Sequence, residues 1–153
     1  CLEEGYKYVR GNPRNWFWQE TQHENLSKKI FRSADCFFQV GAKTSYPLEE
    51  VQEFEGEPLI IPASRILRPQ QLNMLMNKSR MARIKGEMEY AAKHKEVYHL
   101  WWHPHNFGAS PESSLAELDE LIRHFTQLQA EYGMESMNMR SLGEQVNKKQ
   151  MQV

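Results

Sequence analysis

This sequence of 153 residues has little cysteine, little aspartate and no long hydrophobic run. Cys1 and Cys36 are too few for a disulfide framework or a thiolate metal site, which favours a reducing, cytoplasmic compartment. No segment approaches the ~18 consecutive apolar residues of a membrane span. Because Asp35 and Asp119 are the only aspartates, a mechanism that needs adjacent aspartates cannot be completed within this chain.

The charge balance excludes a further class of function. There are 19 Lys and Arg residues against 20 Asp and Glu residues, so we expect neither a nucleic-acid footprint nor a charged membrane-binding surface. The apolar content of 40% and the charged content of 25% are typical of a globular protein. The length fits one domain rather than two.

Hydrophobic periodicity predicts alternating strands and helices. The predicted strands cover residues 6–9, 59–61, 97–102 and 134–139. The predicted helices cover residues 25–41, 70–95 and 115–132, and a capping box of Ser141 and Glu144 opens a short fourth helix. About four alternations are typical of a parallel α/β sheet or barrel.

The number of repeats predicts an incomplete architecture. Four strand–helix units make about half of a distorted (β/α) barrel, which would leave two unpaired strand edges. The sequence begins at Cys1, without an initiator Met, on what reads as the end of a helix closed by Gly5. We therefore expect residues 1–153 to form the C-terminal portion of one catalytic domain, with further elements upstream.

The densest chemical segment runs from Tyr98 to Gly108 and contains His99, Trp101, His103, His105 and Asn106. It falls where a strand passes into its loop, the end of a parallel sheet where active sites lie. An imidazole there can act as a general acid or base, and a tryptophan can stack on a sugar. The alternative is that the tryptophans pack in the core and the backbone satisfies the histidines.

Two arginine-bearing segments repeat this placement. Arg10 and Asn12, with Trp16 nearby, follow the first predicted strand, and Arg65 and Arg68 follow the second. Guanidinium and amide groups suit the hydroxyls, carboxylates or phosphates of a carbohydrate. We expect the three segments to converge at one rim of the sheet, although solvated surface loops would look alike in sequence.

The histidine spacing gives little support for a metal site. On an extended strand, the rings of His99 and His103 would lie ~13 Å apart, too far for one ion. His103 and His105 could bind together, but no Asp or Cys lies nearby to complete the shell. We therefore assign no metal ligand in this chain.

Three motifs together resemble a known family. They are residues 6–16 (YKYVRGNPRNW), 61–69 (IPASRILRP) and 99–108 (HLWWHPHNFG). In this order and spacing they resemble the C-terminal part of bacterial polysaccharide deacetylases of the NodB-homology type, in the branch found with surface-glycan synthesis.

The resemblance implies a distorted (β/α) barrel that hydrolyses N- or O-acetyl groups of an acetylated saccharide. In such enzymes a divalent metal such as zinc is held by one Asp and two His, a second Asp is the base, and a late histidine protonates the leaving group. The position similar to that acid is His103, and Leu100 and Trp101 would help line the acetyl pocket. The implied substrate-binding residues at the rim are Arg10, Asn12, Trp16, Arg65, Arg68, His105 and Asn106.

The sequence also departs from the family. The Thr-Phe-Asp-Asp segment that carries the base and a metal ligand has no counterpart, and Leu100 replaces the Ser or Thr of the His-Ser/Thr-x-x-His-Pro metal motif. We therefore expect this chain to supply the acid but to be inactive without an N-terminal half. Two alternatives remain: a non-catalytic carbohydrate-binding or assembly module, and a small metallohydrolase built on His99, His103 and His105.

Overall fold

The computed structural model describes residues 3, 5–19, 25–38, 41, 43–51, 56–70 and 73–150. Gln150 is described by its backbone alone. The four strands are β1 (Tyr8–Gly11), β2 (Leu59–Pro62), β3 (Arg65–Ile66) and β4 (Leu100–Trp101). The four α-helices are α1 (Leu26–Asp35), α2 (Met74–His94), α3 (Pro111–Tyr132) and α4 (Met139–Gln150). Single 3-10 turns cover Trp16–Trp18, Leu48–Glu50 and Pro104–Phe107.

The strands form two parallel pairs, β1 with β2 and β3 with β4. Ala63 and Ser64 join β2 to β3 and link the two pairs through the backbone. The Ala63 amide donates to the Gly11 carbonyl, and the Ser64 amide donates to the His99 carbonyl. Residues 59–66 therefore pair with β1 at their start and with β4 at their end, which places β1 and β4 on the two sides of this stretch.

Two hydrophobic clusters hold the helices against the strands. One joins α2 and α3 to Leu67, which directly follows β3, and to Leu100 of β4. Its buried members on the helices are Met81, Ile84, Met88, Ala92, Leu121 and Leu128. The other joins α4 to β2 and to the segment before it through Tyr46, Val51, Leu59, Ile61 and Val146. Helix α4 lies so close to β1 that a Cβ atom at Gly143 would overlap the Tyr8 ring.

Charged side chains also form part of the interior. Arg65 donates to both carboxylate oxygens of Glu87, at 2.7 and 2.8 Å, and to the carboxylate of Asp35 at 3.3 Å. Arg83 donates to the same two carboxylates. We call Asp35, Arg65, Arg83 and Glu87 the ionic cluster. It ties α1, β3 and α2 together with two positive and two negative charges, so the burial of each charge is compensated.

The helices agree with the sequence pattern better than the strands do. Helices α1, α2 and α3 fall within or overlap the predicted segments, and Gly133 ends α3 with a φ of 71°. Residues 134–138 carry no strand, because the described structure gives them no ladder partner. Asn138 rather than Ser141 opens α4, since its side chain accepts a hydrogen bond from the Ser141 amide at 2.9 Å. The barrel itself stays a prediction.

Candidate functional site

The rim carries a stack of cationic and aromatic side chains. Arg10 comes from the end of β1 and Trp101 from the end of β4. The Arg10 guanidinium carbon lies 3.5 Å from the centroid of the Trp101 ring, which is a cation–π contact. This contact joins β1 and β4, which lie on the two sides of residues 59–66, at their carboxyl ends. The sequence predicts that the loops converge at this edge.

Two histidines extend this stack beyond β4. The His103 ring meets the Trp101 ring edge-on, with centroids 5.0 Å apart and an interplanar angle of 89°. The His103 ring also stacks on the His105 ring, with centroids 5.0 Å apart and an interplanar angle of 12°. Arg10, Trp101, His103 and His105 are called the rim cluster here, and three of them are exposed while Trp101 is half-buried.

Two members of the rim cluster carry polar groups that have no hydrogen-bond partner among the described residues. Arg10 has no hydrogen bond or ion pair with any described residue, and burial lowers the pKa of its guanidinium. The Trp101 indole Nε1 is buried and lacks an acceptor within the described part of the chain. Buried polar groups in proteins are nearly always satisfied, so this N–H group is a candidate donor to a bound molecule.

His99 lies two residues before Trp101, directly before β4, and its protonation state follows from its surroundings. Its Nδ1 lies 3.1 Å from the Pro62 carbonyl oxygen. Burial is the largest effect and lowers the pKa of its imidazole; the hydrogen bond to the Pro62 carbonyl opposes it, and the nearby charge of Arg10 has the smallest effect and also lowers the pKa. The ring is therefore neutral near pH 7, with Nδ1–H donating to Pro62 and Nε2 left as an acceptor.

Two residues predicted to contact the substrate, Arg65 at the rim and Leu100 in the acetyl pocket, face the interior instead. Arg65 is only 6% exposed, and its guanidinium is occupied by Glu87 and Asp35. Leu100 packs into the cluster between α2 and α3 rather than beside Trp101. The reason is strand alternation: Arg65 pairs with Leu100 and Ile66 pairs with Trp101, so Arg65 and Leu100 face away from the rim cluster.

Three other predicted residues lie outside the rim cluster. Asn12 is exposed in the loop after β1. Trp16 is 54% exposed and packs against Phe31 of α1, with ring centroids 5.3 Å apart. Arg68 is half-buried, and its Nε lacks a partner among the described residues. It lines a small cleft together with Asn106.

Asn106 contacts the rim cluster through the protein backbone. Its Oδ1 accepts a hydrogen bond from the His103 amide at 2.9 Å, and its own amide donates to the His103 carbonyl at 2.9 Å. These two bonds close the turn Pro104–Phe107 onto the residue that precedes it.

The described residues do not fit a divalent metal. They contain no group of three or more His, Cys, Asp or Glu side chains arranged to hold an ion. The rings of His103 and His105 are nearly parallel, so their nitrogen lone pairs do not converge on one point. His99 uses one ring nitrogen on the Pro62 carbonyl. The metallohydrolase alternative therefore finds no support in the geometry of its three histidines.

The sequence pattern missed two features near the site. A cavity of about 700 Å³ lies along β4, lined by His99, Leu100 and Trp102 and by the segment 133–139. The ionic cluster was also missed, because Arg83 and Glu87 look like a solvated helix face in sequence. One signal for it existed: Asp35 stands in a helix among apolar residues, where a buried carboxylate requires a cationic partner.

Comparisons with protein-family models, with curated proteins and with solved structures gave no match to this chain. Within the residues that the structure describes, no helix is both long enough and apolar enough to cross a membrane.

Proposed function

We propose that this chain is the C-terminal part of a carbohydrate deacetylase that hydrolyses N- or O-acetyl groups of a saccharide. The observation that carries the proposal is the rim cluster, which joins two strand ends through Arg10 and Trp101 and presents His103 beside them. A divalent metal, which in this family polarises the acetyl carbonyl, and the catalytic base would be held by residues outside these 153.

The rim cluster offers the contacts that a saccharide needs. The half-buried Trp101 ring provides apolar surface, and its unpaired Nε1–H provides a donor. Arg10 adds guanidinium donors that no described carboxylate occupies. A ligand site of this kind combines an aromatic surface with a few polar groups that fix the orientation of the ligand.

His103 would act as the general acid. When the tetrahedral intermediate collapses, the bond from the carbonyl carbon to the amine nitrogen or sugar oxygen breaks, and that atom must be protonated. A protonated His103 imidazole would donate this proton and be left neutral. The His103 ring suits this role because it is exposed at the rim, where a substrate can reach it, and because its contacts with the Trp101 and His105 rings hold it in place.

A second candidate function is a non-catalytic carbohydrate-binding module. The specific observation in its favour is that the rim cluster contains no carboxylate, which is the group that serves as the base in the deacetylases that the chain resembles. In this case the same residues would bind the saccharide without turning it over.

The first experiment titrates the 153-residue chain with an N-acetylglucosamine tetramer and with its deacetylated counterpart. We expect the acetylated sugar to bind, and Trp101→Ala to weaken binding about tenfold or more, the loss of ~1.4 kcal/mol or more. Trp16→Ala is the matched control, because its ring packs on α1. Equal weakening by both variants, or no binding by the unmodified chain, would remove the rim cluster as a saccharide site.

The second experiment separates the two candidate functions. The intact mass of the protein in its source cells is measured and compared with 18.1 kDa. A mass near twice this value supports the deacetylase, and His103→Ala in the longer protein should then abolish acetate release while sugar binding persists. A mass of 18.1 kDa with sugar binding retained supports the binding module instead.

A further inference from the structure

Asn106 forms two hydrogen bonds with the backbone of His103. The Asn106 side chain accepts from the His103 amide, and the Asn106 amide donates to the His103 carbonyl, both at 2.9 Å. Both polar backbone groups of His103 are thus bound to one residue three positions later. Such a pair of bonds fixes the backbone from which the imidazole projects.

The surroundings of the His103 ring limit its remaining freedom. With the backbone fixed, only the two side-chain torsions of His103 can vary. The Trp101 ring lies edge-on to the His103 ring and the His105 ring lies parallel to it. A shift of the His103 backbone would move the ring out of both contacts, so the position of the imidazole depends on the Asn106 contacts.

From this arrangement we infer that Asn106 is a positioning residue for His103 rather than a saccharide ligand. The inference rests on the proposed function, in which His103 is the proton donor. A general acid must lie within hydrogen-bond reach of the atom that it protonates, and a displacement of about 1 Å can cost roughly 100-fold in rate. Asn106 is half-buried, and one lone pair of its Oδ1 is engaged by the His103 amide, which favours a role toward the backbone over one toward a sugar.

The test compares Asn106→Ala with Asn106→Asp in the 153-residue chain. Alanine removes the acceptor, and aspartate keeps it. We expect the His103 amide to exchange with solvent about tenfold faster in the alanine variant and at the original rate in the aspartate variant. Asn138→Ala is the matched control, because it removes a similar side-chain acceptor at the start of α4. It should leave exchange at His103 unchanged.

Sugar titrations of the same variants separate positioning from direct binding. If Asn106 positions His103, the affinity for the acetylated tetramer changes by less than about threefold in both variants. In the longer protein of the proposed function, Asn106→Ala should then lower kcat by roughly 10- to 100-fold with little change in KM. Aspartate should restore most of this loss.

The possible failures have different meanings. Unchanged His103 exchange in Asn106→Ala, or a sugar affinity that falls tenfold in both variants, would overturn the positioning role. Absence of sugar binding by the unmodified chain would overturn the proposed function instead. The exchange rates would still decide whether Asn106 fixes His103.

Discussion

Arg10 and Arg65 both lie at strand ends, yet their environments differ completely. Arg65 faces the interior, where it forms hydrogen bonds with the side chains of Glu87 and Asp35. Arg10 faces the rim, where its guanidinium lies over Trp101 and has no acidic partner in the described part of the chain. A single residue type after a predicted strand therefore does not indicate a site, because the face on which it lies decides its role.

The two regions also differ in how far their interactions are satisfied. Glu87 accepts from Arg65, Arg83, Thr44 and Tyr98, so its carboxylate has little capacity for a ligand. Within the ionic cluster, Arg83 Nη1 lacks a partner among the described residues, but both carboxylates and the Arg65 guanidinium are engaged. The rim cluster keeps the Trp101 Nε1 unpaired. Closed polar networks stabilise a fold, whereas open ones are suited to binding.

The largest expected effect comes from exchanging the two arginines for alanine. Arg65→Ala leaves two buried carboxylates with one arginine, and we expect a loss of about 3–5 kcal/mol in the free energy of unfolding. Arg10→Ala removes one exposed cation–π contact and should cost about 0.5–1 kcal/mol. Urea unfolding of both variants measures the difference. Similar losses would contradict the distinction between a structural and a binding arginine.

The second prediction concerns the stability of the protein at low pH. Burial alone would raise the pKa of Glu87, but the hydrogen bonds and charges of Arg65 and Arg83 outweigh it and lower the pKa. A lowered pKa means that Glu87 contributes stability above its unfolded value, about 4.3, and loses this contribution as the pH falls through the folded value. Glu87→Gln should cost about 2 kcal/mol at pH 7, and its stability should fall less steeply below pH 4.3.

The control for this prediction lies on the same helix. Glu89 pairs with Lys93 at 2.5 Å on the exposed side of α2. Because solvent screens that pair, the stability of Glu89→Gln should follow that of the unmodified chain from pH 7 to pH 3. If both variants flatten the pH profile equally, the acid sensitivity does not arise from the ionic cluster.

The sequence predicted the helices well because their signals are local. The apolar spacing of α3 and its terminal Gly133 lie within one stretch of chain, and the structure gives a helix there. The sequence predicts a strand over residues 134–139, but strand formation requires a partner with open backbone groups, and no described segment pairs with it. Pairing is a property of two segments, so one segment cannot predict it.

Part of the candidate site could be predicted from the sequence, because the ends of parallel strands meet at one edge of a sheet. In the structure Arg10 does contact Trp101, and His103 and His105 lie beside Trp101 in the segment after β4. Arg65 differs from the prediction because strand alternation turns it, together with its ladder partner Leu100, away from the rim cluster and toward Glu87 of α2. A strand of two residues is too short for the sequence to show which of its faces is buried.

The third prediction sharpens the closed side of the comparison. The Tyr98 hydroxyl donates to Glu87 at 3.1 Å, and burial raises the pKa of this tyrosine. Tyr98→Phe should lower the free energy of unfolding by about 1–1.5 kcal/mol, since Glu87 keeps its arginine donors. Tyr6→Phe is the control, because Tyr6 is 65% exposed and its hydroxyl can bond to water. A loss in Tyr6→Phe as large as in Tyr98→Phe would contradict the assignment.

The smallest expected effect tests the open side. Arg10→Lys keeps the positive charge but replaces the planar guanidinium over Trp101 with a compact ammonium group. We expect a loss of about 0.5–1 kcal/mol in saccharide affinity, a two- to fivefold rise in Kd. Arg10→Met, which keeps the length and removes the charge, should raise Kd further. If Arg10→Lys binds as the unmodified chain does while Arg10→Met does not, charge alone matters, and the flat stacking on Trp101 is not part of recognition.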